Sequence, residues 1–197
     1  MRKPDDTKEL IIQRAMLLFN TRGIASTSIG DIMQATGLPK GAIYRRFDTK
    51  EAIVLAAFER AGQILREAFL QAEREGTSTV EKLMKLAAIY QDAVDAPPIP
   101  GGCPLLNTAV ESDGTFPELR RKAAEAYADM VRFVASILER GVRDKELTPD
   151  VDAAELASFL VDSMEGAIMA SRLTGSNAPI ERNMKYTEAL LRSYVHA

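Results

Sequence analysis

Apolar residues recur every three to four positions along almost the whole chain, which is the spacing of one face of an α-helix. In TKELIIQRAMLLFNTRG, Ile11, Ala15 and Leu18 follow this pattern, and Gly23 stands where a left-handed helix terminus is common. No window alternates apolar and polar residues beside hairpin-turn residues, as a strand would. The sequence therefore predicts an all-α protein of about nine helices.

Capping residues divide this pattern into short helices near the N-terminus and longer ones after them. A short second helix ends at Gly37, and a third, shorter still, follows it. Asp48, three residues before a glutamate, resembles a capping box and predicts the start of a long helix that ends near Gly76. A later helix over Glu118–Lys145 is expected to break near Gly141.

Charge is distributed unevenly between the first quarter of the chain and the rest. Residues 1–50 hold nine Lys/Arg and five Asp/Glu, whereas residues 51–197 hold 16 and 23. The first segment thus carries +4 within a chain of net charge −3. This asymmetry suggests an anion-binding head over residues 1–50 on an acidic second domain over residues 51–197, and the alternative is a chance distribution, since +4 over fifty residues is modest.

Several classes of protein are disfavoured by composition. The 197 residues contain no apolar run as long as the roughly 18 residues that a membrane span requires. The first ten residues, MRKPDDTKEL, lack the apolar core of a signal peptide. We therefore predict a cytoplasmic protein without a membrane partner. One cysteine, Cys103, and one histidine, His196, leave no internal disulfide and no Cys/His zinc site. With no Ser/His/Asp grouping and no phosphate-binding glycine loop, we predict no enzyme, cofactor or metal. A helical adaptor remains the other alternative.

The segment GLPKGAIYRRFDTKEAI, residues 37–53, favours a helix-turn-helix. Two short helices are joined by a glycine-containing turn, and the second of them is basic. Lys40, Arg45 and Arg46 supply cations, and Tyr44 supplies a hydroxyl on a rigid ring. The alternative is an ordinary surface helix with solvated cations.

Three ordered motifs carry a resemblance to a known family. The pattern A-x-x-L-F-x-x-x-G begins at Ala15, T-S-I-x-D-I-x-x-A-x-G begins at Thr27, and K-G-x-x-Y-x-x-F-x-x-K-E begins at Lys40. Over some fifty residues this set resembles the N-terminal domain of the TetR/AcrR transcriptional regulators. The resemblance implies a helix-turn-helix head, a long connecting helix, and a helical ligand-binding and dimerisation domain.

The resemblance also implies a function and a set of contacts. We expect a homodimer that binds a palindromic double-stranded DNA operator as a repressor, and that a small apolar or amphipathic molecule releases. Lys40, Tyr44 and Lys50 are expected on phosphates, while either Arg45 or Arg46 could read a base. The expected DNA contacts are Thr27, Ser28, Lys40, Gly41, Tyr44, Arg45, Arg46 and Lys50.

The segment GCPLLNTAVE in the second domain resembles one branch of the same family. Pro104 fits the first turn of a helix, which places Cys103 beside a helix N-terminus where a thiol pKa can fall. Cys103 is therefore either a redox or electrophile sensor or a small buried residue in a tight turn. A ligand cavity lined by the fourth to eighth helices is expected, and each of its candidate residues could instead belong to the ordinary core. The candidates are Phe58, Tyr90, Cys103, Leu106, Asn107, Val110, Phe116, Tyr127, Met130 and Met164.

The last two helices resemble the dimerisation face of the family. AAELASFLVDSMEGAIMASRL combines large apolar residues with small ones that permit close helix packing. Two such helix pairs would form a four-helix bundle. The residues expected in the dimer interface are Leu156, Phe159, Leu160, Ala167, Ile168, Ser171 and Leu190.

Overall fold

The computed structural model describes residues 4–112, 114 and 116–196. Within them the chain forms nine α-helices and no β-strand, which confirms the all-α prediction. The helices are α1 Pro4–Arg22, α2 Ile29–Thr36, α3 Lys40–Tyr44, α4 Lys50–Glu75, α5 Thr79–Ala88, α6 Pro104–Ser112, α7 Pro117–Arg143, α8 Ala153–Thr174 and α9 Ala178–Ser193.

The first three helices pack with the start of α4 around one apolar core. Ile11, Ile32, Ile43 and Ile53, one from each of the four helices, are almost completely buried in it. A side-chain capping box, in which Ser28 and Asp31 exchange hydrogen bonds, begins α2. This packing holds α3 in one orientation although α3 has only five residues and could not persist alone.

The long helix α4 begins one residue later than the predicted Asp48 cap. The Thr49 hydroxyl accepts a hydrogen bond from the Ala52 amide at 3.2 Å, so Thr49 is the capping residue. Ser/Thr and Asp both cap helices well, and two such residues stand side by side here.

The predicted break of α7 at Gly141 is wrong. The helix runs through Gly141 without interruption, and this glycine is buried against the first turn of α5. A Cβ atom at Gly141 would overlap the side chain of Thr79. The glycine therefore allows α7 and α5 to approach closely, and its helix-breaking tendency is overridden by this packing.

Helices α5 and α7–α9 enclose a second core that includes Leu83, Leu138, Leu160 and Leu191. The core of the head extends into the body, because Ile99 and Leu119 pack in the same cluster as the head residues. The division at residues 50 and 51 therefore stays a prediction. Among the described residues, none of the helices has both the length and the hydropathy to cross a membrane.

Candidate DNA-binding head and effector cleft

The outward face of α3 and of the turn after it is basic. Ile43 and Phe47 are buried and fix α3 against the head, which leaves Lys40, Arg45 and Arg46 exposed to solvent. Tyr44, 40% exposed, lies between them, and the Lys40 Nζ lies 5.7 Å from the centroid of its ring.

Within the described residues, these three cations have no acidic ion-pair partner. In the part of the chain that the structure describes, Lys40, Arg45 and Arg46 form no ion pair and no side-chain hydrogen bond. By contrast, Arg22 on α1 lies 3.7 Å from Asp31, whose pKa is lowered mainly by the hydrogen bond from Ser28. Unpaired guanidinium and ammonium groups on one small surface are available to bind phosphate oxygens.

Three of the expected DNA contacts are engaged within the head. Thr27 is completely buried, and its hydroxyl donates to the Gly23 carbonyl at 2.7 Å, so this residue holds the α1–α2 turn and presents no surface to DNA. Ser28 is exposed, although its hydroxyl caps α2. The Lys50 ammonium donates to the Ile24 carbonyl at 2.5 Å and retains two further N–H donors. From the sequence alone, either the Thr27 or the Ser28 hydroxyl could have been the cap of α2.

The body contains a cleft of about 440 Å³ between α4, the start of α6, α7 and α8. An adjoining cavity of about 80 Å³ shares part of this lining. The rings of Phe69 and Phe133, which line both spaces, stack with centroids 6.4 Å apart. Met130, Tyr90 and Glu165 line both spaces as well. The combined shape suits a small molecule with a largely apolar body.

Half of the residues expected around the ligand line these two spaces. They are Phe58, Tyr90, Cys103, Met130 and Met164. Phe69, Phe133 and Glu165 also line these spaces and were not predicted from the sequence. A signal for Glu165 was present, because this acid stands at helical spacing between Val161 and Ile168 on the inward face of α8.

The other five expected ligand contacts lie elsewhere. Val110 is 75% exposed on α6, and Phe116 packs against the core of the head. Leu106 does not line the cleft but packs against the small cluster that contains Tyr90 and Cys103, and the Tyr127 hydroxyl donates to Asp162 at 2.7 Å. Asn107 faces α1 and not the cleft. The sequence of a helix as short as α6 does not show which of its faces lines a cavity.

Polar contacts connect α6 to the end of α1. The Asn107 amide donates to the Asn20 carbonyl at 3.2 Å, to Asn20 Oδ1 at 2.9 Å and to the Gly101 carbonyl at 3.1 Å. The Asn20 amide in turn donates to the carbonyls of Pro100 and Gly102 at 2.8 and 3.1 Å. These reciprocal bonds, which we call the α6 latch, join the body to the head.

The latch is extended by Glu111 one turn further along α6. Its Oε2 accepts hydrogen bonds from the backbone amides of Ile24 and Ala25 at 2.6 and 3.2 Å. These amides belong to the turn that also receives the Lys50 ammonium. The start of α6 therefore borders the cleft and its last turn holds the turn before α2.

Cys103 does not have the environment expected of a reactive thiol. It is 3% exposed, and its Sγ donates to Glu165 Oε1 at 3.1 Å. Burial, together with the neighbouring carboxylate, raises the pKa of the Cys103 thiol well above its usual range. These effects outweigh the α6 N-terminus, so of the two alternatives for Cys103 the structure favours the small buried residue over the sensor.

Most residues expected in the dimer interface are buried within the single chain. Leu156, Leu160, Ala167, Ile168 and Ser171 are at most 9% exposed, because they pack inside the body. Leu190 is half-buried, and Phe159 alone in this set is exposed, at 55%.

The exposed apolar residues of α8 and α9 lie on a different face. Phe159, Met169 and Leu173 on α8 follow one side of that helix, with Gly166 between them, and Tyr186 is exposed on α9. Their exposure ranges from 52% to 82%. We call these residues the α8–α9 face.

A small helix-turn-helix head with a basic third helix, joined to a helical body with an apolar cleft, defines a class of two-part transcriptional regulators. Residues 11–57 match the model of the bacterial regulatory proteins of the tetR family, and residues 79–187 match that of the tetracyclin repressor-like C-terminal domain. The chain belongs to the TetR family. It is a transcriptional regulator and not an enzyme.

Individual relatives agree with this assignment along their whole length. The chain is 28% identical to the HTH-type transcriptional repressor DhaR of Mycobacterium sp. (strain GP1), over 94% of this chain and 93% of DhaR. It is 37% identical to a TetR transcriptional regulator from Chloroflexus aurantiacus J-10-FL of known structure, with a TM-score of 0.92 over 99% and 98% of the two chains. It is 34% identical to a TetR-family transcriptional regulator from Cytophaga hutchinsonii of known structure, with a TM-score of 0.93 over 100% of this chain and 98% of the other.

Proposed function

We propose that the protein is a ligand-responsive repressor that acts in the cytoplasm as a homodimer on a two-fold symmetric DNA operator. The observation that carries the ligand response is the position of α6. Its first residues line the 440 Å³ cleft, and Asn107 and Glu111 further along bind the head. A molecule that enters the cleft and displaces α6 therefore changes the contacts that orient the head.

On the DNA side, α3 enters the major groove. Lys40, Tyr44 and Lys50 bind phosphates, and one of the exposed Arg45 and Arg46 donates to a guanine in the major groove. Gly41 and Ser28 bring the backbone and a hydroxyl close to the sugar-phosphate chain. The absence of acidic partners, among the described residues, for the three cations of α3 and of the turn after it supports this role.

The dimer forms through the α8–α9 face. Four large apolar side chains exposed on two neighbouring helices would be costly to leave in water, and a second copy of the chain would cover them by two-fold packing. The two heads of such a dimer would meet successive major grooves at a spacing of about 34–36 Å, or a multiple of it.

The effector acts by shifting a population of head orientations. Because a ligand can shift an equilibrium only by its differential affinity, the effector must bind more tightly when α6 occupies its DNA-free position. DNA must then weaken effector binding by the same factor by which effector weakens DNA binding.

The direct experiment is fluorescence anisotropy with the full chain and DNA from upstream of its own gene. We expect tighter binding to this fragment than to a shuffled sequence of equal length, in the same salt. Equal affinity for the two fragments would refute the proposal. The Arg45→Ala, Arg46→Ala double variant should lose most of the preference for the natural fragment.

A further inference from the structure

The deep end of the cleft contains a cluster of three polar groups, the Tyr90 hydroxyl, the Cys103 thiol and the Glu165 carboxyl. The thiol donates to Glu165 Oε1 at 3.1 Å. Tyr90 is only 4% exposed. Among the described residues, neither its hydroxyl nor Glu165 Oε2 has a hydrogen-bond partner, and both atoms are shielded from solvent.

Unpartnered polar atoms in such a place require an explanation. Buried polar groups in proteins are nearly always hydrogen-bonded, since an unmade bond leaves the desolvation penalty uncompensated. Both residues line the cleft and the adjoining cavity, so a molecule between the two spaces contacts the side chains that carry these atoms. They are therefore positioned to bind the polar part of a ligand.

Glu165 is also electrostatically uncompensated. No lysine or arginine within the described ranges pairs with it, and burial raises the pKa of its carboxyl, with Asp162 nearby adding to the effect. A positive charge placed beside Oε2 would favour the ionised carboxylate and would replace the lost hydration.

The other acids of the cleft already have cationic partners. Its ionisable acidic and basic side chains are Glu59, Arg66, Lys122, Glu125, Asp129 and Glu165. Lys122 pairs with Glu59, Arg66 and Arg132 pair with Asp129, and Arg121 pairs with Glu125. Within the described residues, Glu165 is therefore the one acid of the lining that no lysine or arginine pairs with. The stacked rings of Phe69 and Phe133 provide aromatic surface that interacts favourably with a cation.

We propose that the effector is an amphipathic cation whose protonated amine binds Glu165 Oε2 and the Tyr90 hydroxyl and whose apolar body lies against Phe69, Met130 and Phe133. This inference rests on the proposed effector role of the cleft and specifies the chemical class that the cleft accepts. Cys103 orients the carboxyl by donating to its other oxygen.

The test uses three probes with one apolar body and different head groups: 2-naphthylmethylammonium, 2-naphthalenemethanol and 2-naphthoate. Isothermal titration calorimetry with the wild-type chain at pH 7 should show the ammonium probe binding at least tenfold more tightly than the alcohol, with the carboxylate weakest. An alcohol or carboxylate that binds as tightly as the ammonium, or an ammonium probe that does not bind at 1 mM, would overturn the inference. This comparison requires no variant.

A matched pair of variants then tests whether Glu165 is the acid that binds the ammonium group. Glu165→Gln keeps the size of the side chain and should weaken the ammonium probe at least tenfold while changing the alcohol less than threefold. Glu67→Gln removes an exposed charge on α4 that does not line the cleft and should change the affinity of both probes less than threefold. Equal effects of the two substitutions would contradict a specific role for Glu165. Since no DNA is present, failure here is distinguishable from failure of DNA binding, which the same preparation reports by anisotropy.

Discussion

Substitution of Asn107 by Asp tests the α6 latch with a change of one side-chain group. Asn107 donates to three acceptors, and two of them are backbone carbonyls that can only accept. The third, Asn20 Oδ1, is identified as oxygen because the Asn20 amide donates to two other carbonyls. The orientation of the Asn107 amide is thus determined, and an aspartate would place an anionic oxygen against three oxygens.

The magnitude follows from the lost bonds. The three acceptors share the two N–H donors of the Asn107 amide. At a net contribution of about 0.5–1.5 kcal/mol for each donor, Asn107→Asp should lower the free energy of unfolding by about 2 kcal/mol. In a chain of this size, the midpoint of thermal unfolding should fall by roughly 4–8 °C. Repulsion between the carboxylate and the three acceptors acts in the same direction.

Urea unfolding followed by far-UV circular dichroism measures this change. Asn183→Asp on α9 is the matched control, because Asn183 is half-exposed and uses its oxygen to accept from Thr187, a bond that aspartate retains. The control should stay within about 0.5 kcal/mol of the wild type. If Asn107→Asp were equally mild, the latch would not contribute to stability and the reasoning would be refuted.

Three further predictions concern the backbone, the dimer and the buried acid. Gly101→Ala should lower the free energy of unfolding, measured in urea, by about 2 kcal/mol or more. Gly101 has φ = 104°, and the Cβ of an alanine there would overlap the α1 backbone. Gly62→Ala, in open space on α4, is the control and should be neutral or stabilising. Leu173, which is 82% exposed, lies on the α8–α9 face, so Leu173→Glu should convert the dimer to monomers in light scattering. Val110→Glu, at a residue that is 75% exposed on α6, should leave the protein dimeric. A dimeric Leu173→Glu variant would exclude the α8–α9 face as the dimer interface. The Glu165 pKa is raised in the folded chain, so the contribution of Glu165 to stability should fall as pH rises above its unfolded pKa of about 4.3. The stability of Glu165→Gln relative to wild type in urea unfolding should therefore increase from about pH 4.5 to about pH 7.5, and a constant difference would contradict the raised pKa.

Local signals in the sequence were sufficient for the helices and for the face of α3. Buried Ile32 and Ile43 follow from helical spacing, and Gly37 ends α2 with φ = 69° as its position indicated. The adjacent hydroxyls of Thr27 and Ser28 were ambiguous, since either can cap a helix. Only the packing of the α1–α2 turn determines that Thr27 is buried.

Features that depend on distant packing were less accessible. On α8 apolar residues occur on two faces, and spacing cannot say whether Leu160 or Phe159 faces the chain's own core. The bonds between Asn107 and Asn20 join residues 87 positions apart, and no periodic pattern reports them. Glu165 was recognisable in principle as an isolated acid on an apolar face.

The salt dependence of DNA binding tests the central claim, that the basic face of α3 binds the DNA backbone. For a dimer with two Lys40 phosphate contacts, Lys40→Ala should make the slope of log K against log salt less steep by about 1.8 on the upstream fragment. Arg74→Ala, which removes an exposed cation at the far end of α4, should leave the slope unchanged. An unchanged slope for Lys40→Ala, or equal reductions in both variants, would contradict the account.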